Sequence, residues 1–211
     1  MTSTINEPLQ VNDTIDCTGD MKVNTNKLTV DASTGNVVIA GSLTTADYTR
    51  YLNIQVGGLI LDTTADQDPD ETNSNDAPAL SFNDTENDIA YFSFSVPEDW
   101  DAGNNVVVEL IWTSTTTTGN VEWEIDWASV PVDGTESAAS DGTDAYIDAA
   151  PGTTGYMLST GTNLAITSGT LAAGDIVFIK VNRDAQAGNG DDTMAGNALL
   201  TGIRIRYTAS R

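Results

Sequence analysis

Val121-Glu122-Trp123-Glu124-Ile125-Asp126-Trp127 decides the fold class. Four large apolar side chains alternate strictly with three carboxylates. A period of two is the signature of a β-strand with one buried and one wet face. The same logic picks out strands at 89–96 (IAYFSFSV), 106–113 (VVVELIWT), 163–168, 175–182 (DIVFIKVN) and 198–208 (ALLTGIRIRYT), with a further apolar stretch at 51–61 interrupted by Gly57 and Gly58. β-branched residues fill these runs, as pleated strands prefer. Turn-rich segments at 62–78, 99–105, 114–120, 133–144 and 184–197 separate them. Helical periodicity is nearly absent. Short strands at such spacing predict an all-β protein, an antiparallel jelly-roll sandwich with an N-terminal extended β arm. All four tryptophans, Trp100, Trp112, Trp123 and Trp127, fall where the core is expected to be densest, and Trp123 and Trp127 fit its interior.

The charge excludes whole classes of function. Between Arg50 and Lys180 there is no Lys or Arg, yet that stretch carries 22 of the 31 Asp and Glu residues. The chain has no histidine and a formal net charge of −23. The central body therefore has no cation to clamp a phosphate, no imidazole to move a proton near neutrality, and no basic groove for nucleic acid. A charge of this size keeps a protein soluble but opposes compaction. The Debye length shrinks from about 8 Å in ordinary saline to about 3 Å near 1 M salt, which removes most of that repulsion. With 23 Asp against 8 Glu and three Lys, the composition resembles that of proteins from halophilic organisms. The basic residues Lys180, Arg183, Arg204, Arg206 and Arg211 cluster near the end. They are expected to pair with the acidic body, within the chain or across a subunit boundary, and to set register more than stability.

The single cysteine, Cys17, allows no intrachain disulfide framework. The start, MTSTINEPLQ, has neither a basic n-region nor an apolar run, so a signal peptide is not expected. No segment approaches the roughly 20 apolar residues of a membrane-spanning helix.

Three segments divide the chain: an arm at 1–50, a strand and acidic linker loop at 51–79, and the jelly-roll domain at 80–211. In the arm, Thr18-Gly19-Asp20-Met21-Lys22-Val23 is echoed by Thr34-Gly35-Asn36-Val37-Val38-Ile39. Each copy is a glycine turn followed by a very short strand. Such strands cannot bury a core alone, so Leu28, Val30, Val37, Ile39 and Leu43 are expected to pack against copies of the chain or another protein. In the acidic loop, Asp66, Asp68 and Asp70 show the alternation of calcium loops. Glu71 and Ala77, however, stand where an EF-hand-type loop needs Gly and Glu, so these are weak metal candidates and diffuse cation association is the expectation. No cofactor is implied.

The stretch NKLTVDASTGNVVIAGSLTT (26–45) resembles shaft and neck segments of bacteriophage tail fibres and spikes. Residues 174–208 resemble the closing strands of small jelly-roll virion proteins of tailed viruses, through Gly174, Asp175, Arg183, Asp184, Asp192, Thr193 and Tyr207. The corner Val96-Pro97-Glu98-Asp99-Trp100 is similar too. Together these segments cover about half the chain. The resemblance implies a homotrimer on the virion surface, in contact with other virion proteins, as a head decoration, turret, fibre or receptor-binding knob. It also implies host attachment through a surface glycan or protein, with no nucleic acid bound and no membrane insertion. A second resemblance is weaker. Glu124-Ile125-Asp126 is similar to the start of a jelly-roll glycosidase motif, but Ala128 and Ser129 stand where its second glutamate belongs. The alternative to a virion protein is a free carbohydrate-binding β-sandwich module; in either reading Trp100, Tyr146 and Tyr156, in or beside turns, are the candidate receptor or glycan contacts.

Overall fold

Alternation in the sequence becomes two facing sheets. The computed structural model describes residues 21–23, 26–30, 37–40, 48–64, 67–74, 76–136, 139–186 and 190–210, the first three segments by their backbone alone. It divides into two compact units, Met1–Ala46 and Asp47–Arg211. In the first, β1 (Met21–Val23), β2 (Asn26–Val30) and β3 (Val37–Ala40) form an antiparallel meander. Its register sets Leu28 opposite Ile39 and Val30 opposite Val37.

The second unit is an antiparallel jelly-roll sandwich. Its strands are β4 (Tyr48–Ile54), β5 (Ile60–Leu61), β6 (Asp70–Ser74), β7 (Ala77–Phe82), β8 (Ile89–Ser95) and β9 (Val106–Ser114), followed by β10 (Asn120–Val130), β11 (Gly142–Ala149), β12 (Leu158–Ser159), β13 (Ala165–Ile166), β14 (Ile176–Arg183) and β15 (Ala198–Ala209). One sheet has the order β11-β10-β14-β8-β5. The other runs β12-β9-β15-β7-β6, with β13 also on β9 and β4 also on β15. Along β15 the start pairs with β7 and the end with β4, so two strands share one edge of the longest strand. The chain passes from sheet to sheet between β8, β9 and β10, and again around β14, which closes the core from both sides.

That core is apolar and dense. Val121, Trp123 and Ile125 are fully buried, with Trp127 beside them, as the alternation predicts. Trp123 stands edge-on to Phe82 at 5.1 Å and to Trp112 at 6.0 Å between ring centres, the geometry that aromatic quadrupoles favour. The indole N–H groups of Trp112 and Trp127 reach Asp148 and Thr170, satisfying donors that burial would otherwise strand.

Three expectations are corrected. The turn-rich segment expected at 62–78 is not a loop throughout: Asp70–Ser74 pairs with Ala77–Phe82 around Asp76, whose φ of 68° makes the turn. Pro78 is tolerated because β7 meets β15 only from Leu80 onward, so its missing N–H breaks no ladder there. The turn expected at 133–144 ends early, because β11 begins at Gly142. Its alternation was unreadable, since its inward positions carry Asp144 and Asp148 around Tyr146. Asp144 Oδ2 accepts the Ala165 N–H at 2.8 Å. A side chain at Gly142 would collide with the Trp127 ring at 2.3 Å. The strand expected at 163–168 shrinks to Ala165–Ile166.

The residues that carried the virion-protein resemblance act as fasteners. Gly174, at φ 85°, turns into β14. Its N–H donates to Val96 O, while Asp175 O accepts from Val96 N–H. Asp175 Oδ2 accepts from Ala172 N–H and Ser129 Oγ–H. Thr193 Oγ1 accepts the Asn120 N–H, and Tyr207 OH donates to Asp99. Arg183 is fully buried opposite Trp123. Its guanidinium holds Asp192 with two 2.8 Å bonds and also donates to the carbonyls of Phe82, Met194 and Gly196. All five of its N–H donors are thereby used.

Removing one partner of a buried pair leaves the other charge uncompensated. Arg183→Met is expected to lower unfolding stability by about 3–5 kcal/mol, read as the urea midpoint. Arg204→Met, at the two-bond pair in which Arg204 is partly exposed and Glu109 buried, should cost less, about 1–3 kcal/mol. Equal costs for the two substitutions would contradict this assignment.

Candidate functional site

The outer face of the five-stranded sheet holds the candidate site. On β8, Phe92 and Phe94 turn inward, so Tyr91 and Ser93 face out. On β14, Val177, Ile179 and Val181 are buried, so Phe178 and Lys180 face out. On β10 the inward tryptophans leave Glu124, Asp126 and Ala128 outside. Register then sets the rows. Ile60, Tyr91, Lys180 and Asp126 lie side by side across four strands, and Ser93, Phe178 and Ala128 form the next row. Phe178 is therefore diagonal to Tyr91, a separation long side chains can bridge.

These rows floor an open trough of about 500 Å³. Ile54, Gly58 and Ile60 line it from the β5 edge; Glu136, Ala139 and Ser140 line it from the β10–β11 connection. Tyr91 and Phe178 expose 36% and 42% of their surface to solvent, which is unusual enough for adjacent rings on a sheet to call for an explanation. The polar groups are already oriented. Lys180 Nζ sits 3.0 Å from Asp126 Oδ2, and Tyr91 OH donates to Asp62 Oδ2 at 3.0 Å. Burial and then the Asp62 hydrogen bond raise the Tyr91 phenol above its usual range, so it keeps its proton at neutrality. Hydrogen bonds from Thr64, then from Tyr91, hold the Asp62 carboxyl below the usual aspartate range.

The remaining carboxylates of this face serve the sheet. Glu124 accepts from Thr143 Oγ1 at 3.1 Å and from Asn182 Nδ2 at 3.0 Å. These contacts tie β11 and β14 to β10, a positioning role compatible with a solvated sheet face. On the other sheet, Glu109 meets Arg204 through two bonds and also accepts from Ser159. Burial pulls the Glu109 carboxyl up, but the hydrogen bonds from Arg204 and Ser159 and the Arg204 and Arg206 charges hold it below its usual range.

The aromatic residues expected to meet a receptor are distributed differently. Trp100 is 4% exposed; its indole N–H donates to Asn104 O, and its backbone bridges Ala209. Trp100 is thus a corner of the core, and its reading as a surface contact is corrected. Its place beside a turn concealed that the turn folds back over β15. Tyr146, opposite Trp123 in register, packs on the core and is half-buried. Tyr156 is exposed at 62%, ahead of β12 in the other sheet. The three do not form one patch. Leu28, Val30, Val37 and Ile39 fall on paired strands of the first unit. Leu43, Asp66 and Cys17 lie outside the described residues. Asp68 and Asp70 are described, and among the described residues no three Asp, Glu, His or Cys side chains gather to hold a metal ion. Nor is any helix among them long and apolar enough to cross a membrane. Sequence reasoning missed Tyr91 and Phe178, although the parity of IAYFSFSV and DIVFIKVN already turned both outward.

No protein-family model matches the chain, and no curated protein sequence matches it, so no sequence likeness ties it to tailed viruses. Solved structures with a similar fold include a mutant VP2 protein of infectious bursal disease virus in T=1 particles, at 14% identity and a TM-score of 0.38, covering 86% of this chain. The chain spans 36% of that protein's length. They also include the family 11 carbohydrate-binding module of Clostridium thermocellum with a mixed-linked tetrasaccharide, at 10% identity and TM-score 0.37, covering 82% of this chain and 94% of that one. A third, the mannan-recognising module TmCBM27, shows 11% identity and TM-score 0.36 over 75% of this chain and 98% of its own. Likenesses of this size assign no function.

Asp148 gives the acidic body a measurable pH dependence. Burial raises its carboxyl above the usual aspartate range, against hydrogen bonds donated by the Trp112 indole and the Ala149 N–H. The folded state therefore holds that proton more tightly than the unfolded chain, and stability falls as pH rises from the ordinary aspartate value through the raised one. Asp148→Asn keeps an acceptor for Trp112 and removes the charge. Its urea midpoint should exceed the parent's near pH 7 by more than it does near pH 3; parallel curves would refute the shift.

Proposed function

We propose that this chain is a structural surface protein of a virion, a capsid decoration, turret or fibre protein that contributes to host-cell attachment. The sandwich faces the medium, and the first unit attaches it to the particle and to its own copies as a homotrimer. The observation that carries this reading is the contrast between the two units. The first unit's strands among the described residues, of three, five and four residues, are too short to bury a core unaided. The sandwich buries all four tryptophans and needs no such help. Apolar residues set opposite one another at Leu28 and Ile39, and at Val30 and Val37, are what a meander completed by other chains requires. The acidic composition suits a solvated outer surface and, through screening, a salty medium. The alternative is a free carbohydrate-binding β-sandwich module, which the open aromatic trough favours and which needs neither a particle nor a trimer.

The purified chain is expected to run as a trimer in size-exclusion chromatography with light scattering, and Leu28→Asp with Val37→Asp to run as a monomer whose tryptophan fluorescence is unchanged. An antibody to the sandwich should decorate intact particles. A stable monomer before any substitution, or particles left unlabelled, would rule the proposal out.

A further inference from the structure

We infer that the trough floored by Tyr91 and Phe178 is a binding site for an uncharged oligosaccharide, a ligand class that gives the attachment part of the proposed function its chemistry and rests on it to that extent. The floor offers two partly exposed rings on neighbouring strands, diagonal to each other. Stacked C–H faces of pyranose rings suit such a surface, because they are apolar while their edges are hydroxylated. The edges of the trough supply the matching groups. Asp126 and Glu136 accept, the Lys180 ammonium donates, the hydroxyls of Ser93 and Ser140 do both, and the Tyr91 oxygen, whose proton goes to Asp62, accepts. The volume falls in the range of small-ligand sites.

Charge selects among ligands. Asp62, Glu124 and Asp126 lie on or beside this face against the single ammonium of Lys180, which Asp126 already engages. Uronate, sialylated and phosphate-bearing chains would meet net repulsion, within a protein of net charge −23. Other occupants fit less well. An extended peptide adds to a sheet edge through backbone hydrogen bonds, whereas the trough is floored by side chains of β14 and β10, which are paired on both sides, and of β8, which β14 pairs along its length and β5 covers at Ala90 and Tyr91. A second copy related by a two-fold axis would set one hollow against another, with like charges opposed.

The test uses the full chain. Cellohexaose, maltohexaose and mannohexaose are compared with hexagalacturonate by isothermal titration, in low salt and near 1 M salt. At least one neutral hexaose should bind in both, and hexagalacturonate should fail in low salt. Phe178→Ala and Tyr91→Ala should each weaken binding by about tenfold or more, while Tyr156→Ala, an exposed tyrosine elsewhere, should not. The unchanged emission of the buried tryptophans reports that the variants fold. No binding to any neutral hexaose, or binding indifferent to Phe178 and Tyr91, overturns the inference. So does a change of oligomeric state on Phe178→Ala, which would make this face a contact between copies. Particle labelling together with a blank titration ends this inference and leaves the virion reading standing; titrated binding with unlabelled particles does the reverse.

Discussion

A single buried guanidinium ties the two sheets of the sandwich together. Arg183 is fully buried in a chain that has almost no cations to spend, and each of its N–H groups finds an acceptor. Its partners come from the end of β7, from Asp192, and from the carbonyls ahead of β15. Asp192 in turn accepts the Glu122 N–H of β10. One charge thus fixes the connection between β14 and β15 against both sheets, beside Trp123 at the core's centre. Arginine alone among side chains offers five donors in a planar fork, so no lysine could replace it there.

The other cations follow the same rule. Lys180 meets Asp126, Arg204 meets Glu109, and Arg50 meets Asp99. Of the late basic cluster, Lys180, Arg183 and Arg204 therefore neutralise carboxylates within the chain, one of the two outcomes that the charge distribution leaves open. The Lys180 and Arg50 pairs are partly exposed on both sides, so each contributes little stability, whereas Arg204 also compensates the buried Glu109 carboxylate. Their effect is on register: Lys180 locks β14 to β10, Arg204 locks β15 to β9, and Arg50 with Tyr207 brings the end of the sandwich onto Asp99. The remaining acidic surface is left to solvent and to ions.

The trough shows how one alternation produces both packing and a site. Every inward Phe or Val on β8 and β14 obliges its neighbour to face out, and at two of those positions the outward residue is aromatic. The sheet then brings the two rings into adjacent rows. Nothing in the local sequence distinguishes Tyr91 from an incidental surface residue; only its placement beside Lys180, Asp126 and Phe178 does.

Much was legible in the chain itself. Strict alternation at 121–127 predicts which face of β10 is buried, because a pleated backbone must send successive side chains to opposite sides. β8, β9, β14 and β15 were equally readable. β11 was not, because Asp144 and Asp148 occupy inward positions that become tolerable only when Ala165 N–H and the Trp112 indole arrive from elsewhere. β6 and β7 were hidden by an acidic, proline-bearing stretch whose pairing depends on β15, more than a hundred residues away. Trp100 was misread for the same reason: its burial comes from the end of β15. Residue type and local spacing determined the all-β character, the burial of Trp123 and Trp127 and the exclusion of histidine chemistry, since none of these depends on a distant segment. Which strands became neighbours, which carboxylates found cations and which aromatics shared an open face were decided by the tertiary structure, because hydrogen bonds between distant strands and the closing of two sheets over one core are not properties of any single segment.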